Sequence, residues 1–161
     1  MRLSKRGEYA LRALIDLGIA QKLGNPMLQI GTLARSERIP VKFLEQILAQ
    51  LKRAGYLGSV RGKRGGYFLR KPLRKIRAGE IVRLTDGALA PIACVSQTAY
   101  RKCSCPDEKH CGLRLLMLDV RAAISGVLDR YTLEEVVGVT LRKILRDGVK
   151  MPFMELKDNG S

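Results

Sequence analysis

From Lys5 to about Gln21 the apolar residues Tyr9, Leu11, Leu14, Ile15 and Leu17 recur at helical spacing. With Ser4 as N-cap, this predicts a first helix, ended by the turn residues Leu23-Gly24-Asn25-Pro26. A short extended piece, Leu28-Gln29-Ile30, leads into a small helix over Thr32–Ser36, capped near Gly31 or Thr32. After the turn Glu37-Arg38-Ile39-Pro40, a helix from Val41 to Ala54 carries Phe43, Leu44, Ile47, Leu48 and Leu51 in one apolar stripe. Lys42, Glu45, Gln46, Ala49, Gln50 and Arg53 mostly face elsewhere, and Gly55 stops the helix. Two helices joined by a short turn form a helix-turn-helix pattern that small helical bundles share. The next residues sharpen it. Tyr56 to Arg61 reads as a strand and Tyr67 to Arg70 as its antiparallel return. Between them, Gly62-Lys63-Arg64-Gly65-Gly66 gives a glycine-rich, basic hairpin tip. A basic hairpin directly after a helix-turn-helix is a wing.

Further along, Leu113, Met117, Val120, Ile124, Val127 and Tyr131 follow one another at spacings of 4, 3, 4, 3 and 4, a heptad seam. Such a seam packs on its own core or on a second chain, and its length and place beyond the wing favour the second chain. Thr132-Leu133-Glu134-Glu135 is a capping box opening a last helix to about Arg146, and Met151–Ser161 reads as a polar, frayed tail. The expected fold is mainly α with a small β-wing: a winged helix-turn-helix domain plus a long C-terminal dimerisation helix. The expected division is residues 1–90 for DNA binding, 91–111 for a cysteine-rich loop, 112–150 for dimerisation helices and 151–161 for a flexible tail.

Charge turns this outline toward a partner. The net charge of +15 is uneven: residues 1–75 hold 17 Lys/Arg against 4 Asp/Glu, and residues 76–161 hold 13 against 11. A basic half joined to a near-neutral half suits a polyanion-binding module with an attached sensor or assembly segment, and double-stranded DNA is the expected polyanion. The helix from Val41 would read base edges in the major groove. The wing basic residues Arg61, Lys63 and Arg64 would reach the minor groove or the phosphates. No secretory signal and no apolar run of bilayer length is evident, so a cytoplasmic protein without membrane contact is expected. With a single histidine the chain lacks a nucleophile–base–orienter set, so no enzyme is expected. A small electron carrier would need the cysteines but not the basic hairpin.

All four cysteines, Cys94, Cys103, Cys105 and Cys111, fall within eighteen residues, with gaps of eight, one and five. The residues between are largely polar, and Pro106 blocks helix. In a reducing compartment such a cluster binds a metal or senses oxidants. Thiolates are the normal ligands of iron–sulfur clusters, and the Cys-x-x-Cys knuckle favoured by zinc is absent. Zinc or metal-free redox thiols are the alternatives. Cys103 and Cys105 would point apart in an extended segment, so the economical arrangement is three thiolates plus one further ligand. His110 abuts Cys111 but reads as a solvated loop residue.

Several motifs occur together in order. They are Met1-Arg2-Leu3-Ser4-Lys5-Arg6-Gly7-Glu8-Tyr9-Ala10-Leu11-Arg12-Ala13-Leu14, Phe43-Leu44-Glu45-Gln46, Val60-Arg61-Gly62 with Gly65-Gly66-Tyr67, and Gly79-Glu80-Ile81-Val82. With the cysteine loop and Thr132-Leu133, they resemble the Rrf-two family of regulators from residue 1 to about 145. The resemblance implies a homodimeric winged-helix transcription regulator, acting as a repressor at a palindromic operator and commonly holding an iron–sulfur cluster of the 2Fe–2S or 4Fe–4S type. It carries base-reading contacts onto Pro40, Lys42, Glu45 and Gln46, with Arg61 in the minor groove. At Pro40 and Lys42 other members often have serine, which points to a different operator sequence. Cys94 matches the family's first ligand, and the Cys105 and Cys111 spacing its last two. That leaves Cys103 as a fourth ligand, a resolving thiol or a bystander, and the eight-residue gap from Cys94 also makes it a competitor for the middle position. Glu8 sits where some relatives lend a carboxylate to the partner subunit's cluster; it also simply complements the positive end of the first helix. Arg114 stands where several relatives place a ligating histidine, and a guanidinium cannot ligate. The implied switch is a change in operator affinity with the state of the loop, in response to iron, redox or nitric oxide.

Overall fold

The computed structural model describes residues 2–154. Helix α1 spans Lys5–Lys22, and Ser4 caps it by accepting from the Gly7 N–H at 3.0 Å. Its Ala10, Ala13, Leu14, Leu17, Ile19 and Ala20 are at most 1% exposed, and it touches every layer of the fold. Strand β1 (Met27–Leu28) follows, then α2 (Ile30–Glu37) and α3 (Val41–Arg53). On α3, Leu44, Ile47, Leu48 and Leu51 are fully buried, each contributing roughly 1.5–3 kcal/mol of apolar burial at most.

Two boundaries depart from the sequence pattern. Helix α2 starts at Ile30, two residues ahead of the expected Thr32, because Gln29 occupies the N-cap position without a side-chain cap bond. The extended piece is shifted back to Met27–Leu28, where it adds a third strand to the wing. Strands β2 (Leu57–Val60) and β3 (Gly66–Leu69) pair antiparallel in the register Leu57 with Leu69 and Val60 with Gly66. The sheet order is β1-β3-β2, with Met27 opposite Phe68 and Leu28 opposite Tyr67. The middle strand is thus pinned to the body on its inner edge. Tyr56, Arg61 and Arg70 lie just outside the ladders.

After a single 3-10 turn at Leu73–Lys75 comes α4 (Ala78–Asp86). Its last residue reaches back to α1: the Ser4 N–H and Ser4 hydroxyl both donate to the Asp86 carboxylate, the first at 2.8 Å. The cysteine segment follows. Helix α5 (Gly112–Arg130) then leaves the body with no fully buried residue, and Leu113, Leu115 and Leu116 are each more than half exposed. It is tied to α4 by the Arg83–Asp129 pair, whose two guanidinium N–H groups donate at 2.6 and 2.7 Å. The capping box at Thr132 and Glu135 is present and opens α6 (Leu133–Arg146). This helix packs back on α1, burying Leu133 and Val137, and Val137 lies so close that a Cβ on Gly18 would come within 2.7 Å of it. The expected frayed tail needs correction at its start. Phe153 is 2% exposed and packs into the core, because the space beside α1 and α6 takes an aromatic ring. Residues 155–161 of that tail lie outside the described residues.

Candidate functional site

The α2–turn–α3 unit presents one exposed polar face. Pro40 is the N-cap residue of α3, and Pro40, Lys42, Glu45 and Gln46 all project from the side opposite the buried stripe. Arg38 closes the turn in a left-handed conformation, with φ of 53°. Gln46 is not free: Arg6 on α1 donates to its Oε1 at 3.3 Å and to Gln50 Oε1 at 3.2 Å, and Gln50 Nε2 donates to the Leu84 carbonyl at 2.8 Å. Helix α3 is therefore registered against both α1 and α4. That register was not visible in the sequence, since Arg6 and Gln50 are ordinary surface residue types and their meeting is tertiary.

The wing carries Arg61, Lys63 and Arg64, all exposed, beyond the end of β2. Gly62 has φ of 110°, and the Gly65 N–H donates back to its carbonyl at 3.0 Å, closing the tip. A Cβ on Gly66 would lie 2.5 Å from the Leu28 carbonyl oxygen, so β3 approaches β1 more closely than a side chain permits. Two side chains from the helices hold the hairpin. Lys52 of α3 donates to Ser59 Oγ at 2.6 Å, and Gln29 Nε2 donates to the Lys63 carbonyl at 2.8 Å.

The cysteine loop lies between α4 and α5. Cys94, in a 3-10 turn at Ala93–Val95, is buried, and burial pushes its thiol pKa up. Cys103, Cys105 and Cys111 are half-exposed, and Cys111 is the N-cap residue of α5. The chain bends at Ser104–Pro106, so Cys103 and Cys105 do not diverge as an extended strand would have them: the Cys105 N–H donates to Cys103 Sγ at 3.2 Å. Hydrogen bonds from the Cys105 thiol and backbone lower the Cys103 pKa, and donating that bond pushes Cys105 up to about 11.

The surrounding side chains brace this segment. Arg121 donates to the Val95 carbonyl and Arg114 to the Cys94 carbonyl at 3.4 Å, while Arg114 also pairs with Glu108 at 3.3 Å. Tyr100 donates to Glu108, an acceptor that raises the phenol pKa. His110 is exposed and bonded to Asp107 at 2.5 Å. Glu8 stands in the first turn of α1, paired with Lys5 at 2.8 Å and Arg12 at 3.2 Å, and the Lys5 bond holds its carboxyl below the usual range. Four thiols suit a soft metal or an iron–sulfur cluster. Among the described residues, however, no three Cys, His, Asp or Glu side chains already converge as a metal-holding group. Among the same residues no helix is long and apolar enough to cross a membrane.

Comparison with known proteins fits this arrangement. Residues 3–138 match the model of the Rrf2 family, described as "Iron-dependent Transcriptional regulator". An HTH-type transcriptional regulator of Rhodobacter capsulatus, described as rrf2-like, is 36% identical over 149 residues, covering 90% of this chain and 99% of that protein. The IscR regulator of Cereibacter sphaeroides is 41% identical over 86 residues, covering 53% of this chain and 56% of that protein. The solved structure of CymR, the global cysteine regulator of B. subtilis, superposes with a TM-score of 0.71 at 27% identity, covering 86% of this chain and 98% of that one. These relatives are transcription regulators rather than enzymes, and a family match spanning most of the winged body, the loop and α5 settles the assignment. The chain belongs to the Rrf2 family of transcription regulators.

Proposed function

We propose that this chain acts in the cytoplasm as a homodimer that represses transcription from a palindromic duplex operator, and that the state of its cysteine loop switches operator affinity. Pro40, Lys42, Glu45 and Gln46 on α3 would face the major groove, with Arg61, Lys63 and Arg64 of the wing on the minor groove or phosphates. The exposed apolar residues of α5 supply the surface for a second copy. The observation that carries the switch is the placement of all four cysteines in the one segment between α4 and α5, bent so that the Cys105 N–H donates to Cys103 Sγ at 3.2 Å. Cys94, Cys105 and Cys111 would hold an iron–sulfur cluster, with Cys103 or Glu8 of the partner subunit as the fourth ligand. Such a cluster, when bound, supplies iron that reacts with oxidants and nitric oxide and follows iron supply.

The chain's own part is mechanical. Ligation would fix Cys94 beside α4 and Cys111 at the start of α5, ordering the polar segment between them. Because Gln50 bonds the Leu84 carbonyl of α4, and Arg6 joins Gln50 to Gln46, displacement of α4 would reach the recognition face. A second reading, metal-free or zinc-bound thiols that switch by oxidation, draws support from the Cys105-to-Cys103 contact.

Anaerobically purified protein decides between them. The expected result is a coloured protein containing iron and acid-labile sulfide, bleached by Cys94→Ala and by Cys111→Ala. Colourless protein containing zinc alone, or no metal and a reversible Cys103–Cys105 disulfide, would replace the cluster with the second reading. The same preparations, titrated with a duplex selected from a randomised pool, test whether loop state changes affinity.

A further inference from the structure

Gln29 occupies a helix N-cap position, where Ser, Thr, Asp or Asn would normally accept from the first free amides of the helix. It makes no such bond. Its side chain instead spans to a segment 34 residues away and donates from Nε2 to the Lys63 carbonyl at 2.8 Å. Lys63 lies at the tip of the wing, between Gly62 and Arg64. The closing bond of the tip runs between two glycines, Gly65 N–H to Gly62 carbonyl, and Arg61, Lys63 and Arg64 project to solvent. A glycine-rich hairpin tip samples many orientations, and a basic side chain mounted on it loses binding energy to ordering when it docks.

We infer that Gln29 is a positioning residue for DNA binding: it straps the wing tip to the start of α2 and so fixes Arg61 and Arg64 relative to the recognition helix. This rests on the proposal that the wing touches DNA. The end of the ladder next to the tip is already set by Lys52 donating to Ser59 and by β3 lying against β1, where Gly66 leaves no room for a side chain. Gln29 acts beyond the ladder, on the Lys63 carbonyl within the loop between Val60 and Gly66 that carries Arg61 and Arg64. The direction of the bond matters. The acceptor is a backbone carbonyl, so the side chain must donate, and it must be long enough to cross from helix to hairpin. Glutamine meets both conditions, while the usual N-cap residues fail the second. An N-terminal cap on α2 has been exchanged for a rigid wing.

The test is a double-mutant cycle in the full-length protein, read by titration against a duplex selected by the wild-type chain from a randomised pool. Gln29→Met keeps the length of the side chain and removes the donor. The expected loss of affinity is about three- to tenfold, the worth of one hydrogen bond spent on preorganisation. In an Arg61→Ala/Arg64→Ala background the same substitution should cost less than about 1.5-fold, because no reading side chains remain to be positioned. Unchanged affinity of Gln29→Met in the native wing would overturn the inference. So would an equal loss in both backgrounds, which would place the effect in α2 itself; the unfolding midpoint of Gln29→Met, measured alongside, would then fall as well. If Arg61→Ala/Arg64→Ala by itself leaves affinity intact, the wing is not a reader, and that earlier proposal fails first and separately.

Discussion

Asp16 shows what a single side chain can hide. It lies on α1 among Ala13, Leu17 and Ala20, is 2% exposed, and its Oδ2 has no hydrogen-bond partner. Burial, reinforced by the nearby Glu37 carboxylate, raises its pKa to about 7, while Arg12, the nearest cation, is engaged by Glu37 and Glu8. The folded chain therefore keeps a proton that the unfolded chain, with the ordinary value of 3.8, gives up. Raising pH from about 4 to about 7 thus favours unfolding, and above that the penalty is complete. Asp16→Asn should match the wild type near pH 4 and exceed its unfolding free energy by on the order of 2 kcal/mol near pH 8. Parallel stability-versus-pH curves for the two proteins would count against this. In the sequence Asp16 stands between Ile15 and Leu17 of the spacing that predicts α1, with no sign that its carboxylate is buried. That its Oδ2 has no partner is a property of how α2 closes over it. Cys103 and Cys105 teach the same lesson: their number and spacing were legible, but the bend at Ser104–Pro106 that turns one toward the other was not.

Among the elements, the long periodic ones were readable and the short ones were not. Helices α1, α3 and α6 begin where the caps and apolar stripes place them, because many positions agree on one period. Strand β1 has two residues, too few to display alternation, and it forms only because β3 offers an edge. Helix α2 begins two residues early, with Gln29 at its N-cap in place of the expected Gly31 or Thr32. Gly66→Ala tests the role of that third strand, since the new Cβ would meet backbone rather than a movable side chain. The expected outcome is a loss of about 1–3 kcal/mol in denaturant unfolding, with weakened duplex binding. Retention of both would mean β1 and β3 part without consequence. Arg61→Ala belongs at this scale too. It should weaken binding to a selected duplex by roughly 1–3 kcal/mol while leaving the unfolding midpoint in place, and equal loss from an exposed residue remote from the wing would deny the hairpin a special role.

For the molecule as a whole, the uneven charge and the bare surface of α5 make separate predictions. With 13 net positive charges in residues 1–75, duplex affinity should fall steeply with salt, with a log–log slope of several units. A slope near one would mean that the basic half is not the docking surface. Ile124→Glu places a charge on the α5 seam and should convert a dimer to monomer in sedimentation, lowering duplex affinity with it. A well-folded Ile124→Glu protein that stays dimeric would move the interface elsewhere. Helix α5 itself was legible from its heptad spacing. That α6 would return to α1 was not, because its buried face, Leu133 and Val137, matches α1 only in three dimensions.

That return has a mechanical corollary. Where the chain comes back, Arg77 and Thr132 form a β-bridge, the Leu133 N–H donates to the Ile76 carbonyl at 2.8 Å, and the Ala78 N–H donates to the Tyr131 carbonyl at 3.1 Å. Helix α5 is thus a beam clamped at its C-terminal end, and Cys111 rides at the other end of its 19 residues. At 1.5 Å per residue the arm is about 28 Å long. A tug of about 3 Å at Cys111 therefore turns the clamp by only about 6°, but with the full leverage of the arm. The clamp bears directly on Arg77 and Ala78, the first residues of α4, whose far end is bolted to Ser4 at the head of α1. Under the proposed switch, chemistry at the Cys111 sulfur would be geared down into a short twist of α4, the helix whose Leu84 carbonyl holds Gln50 of α3.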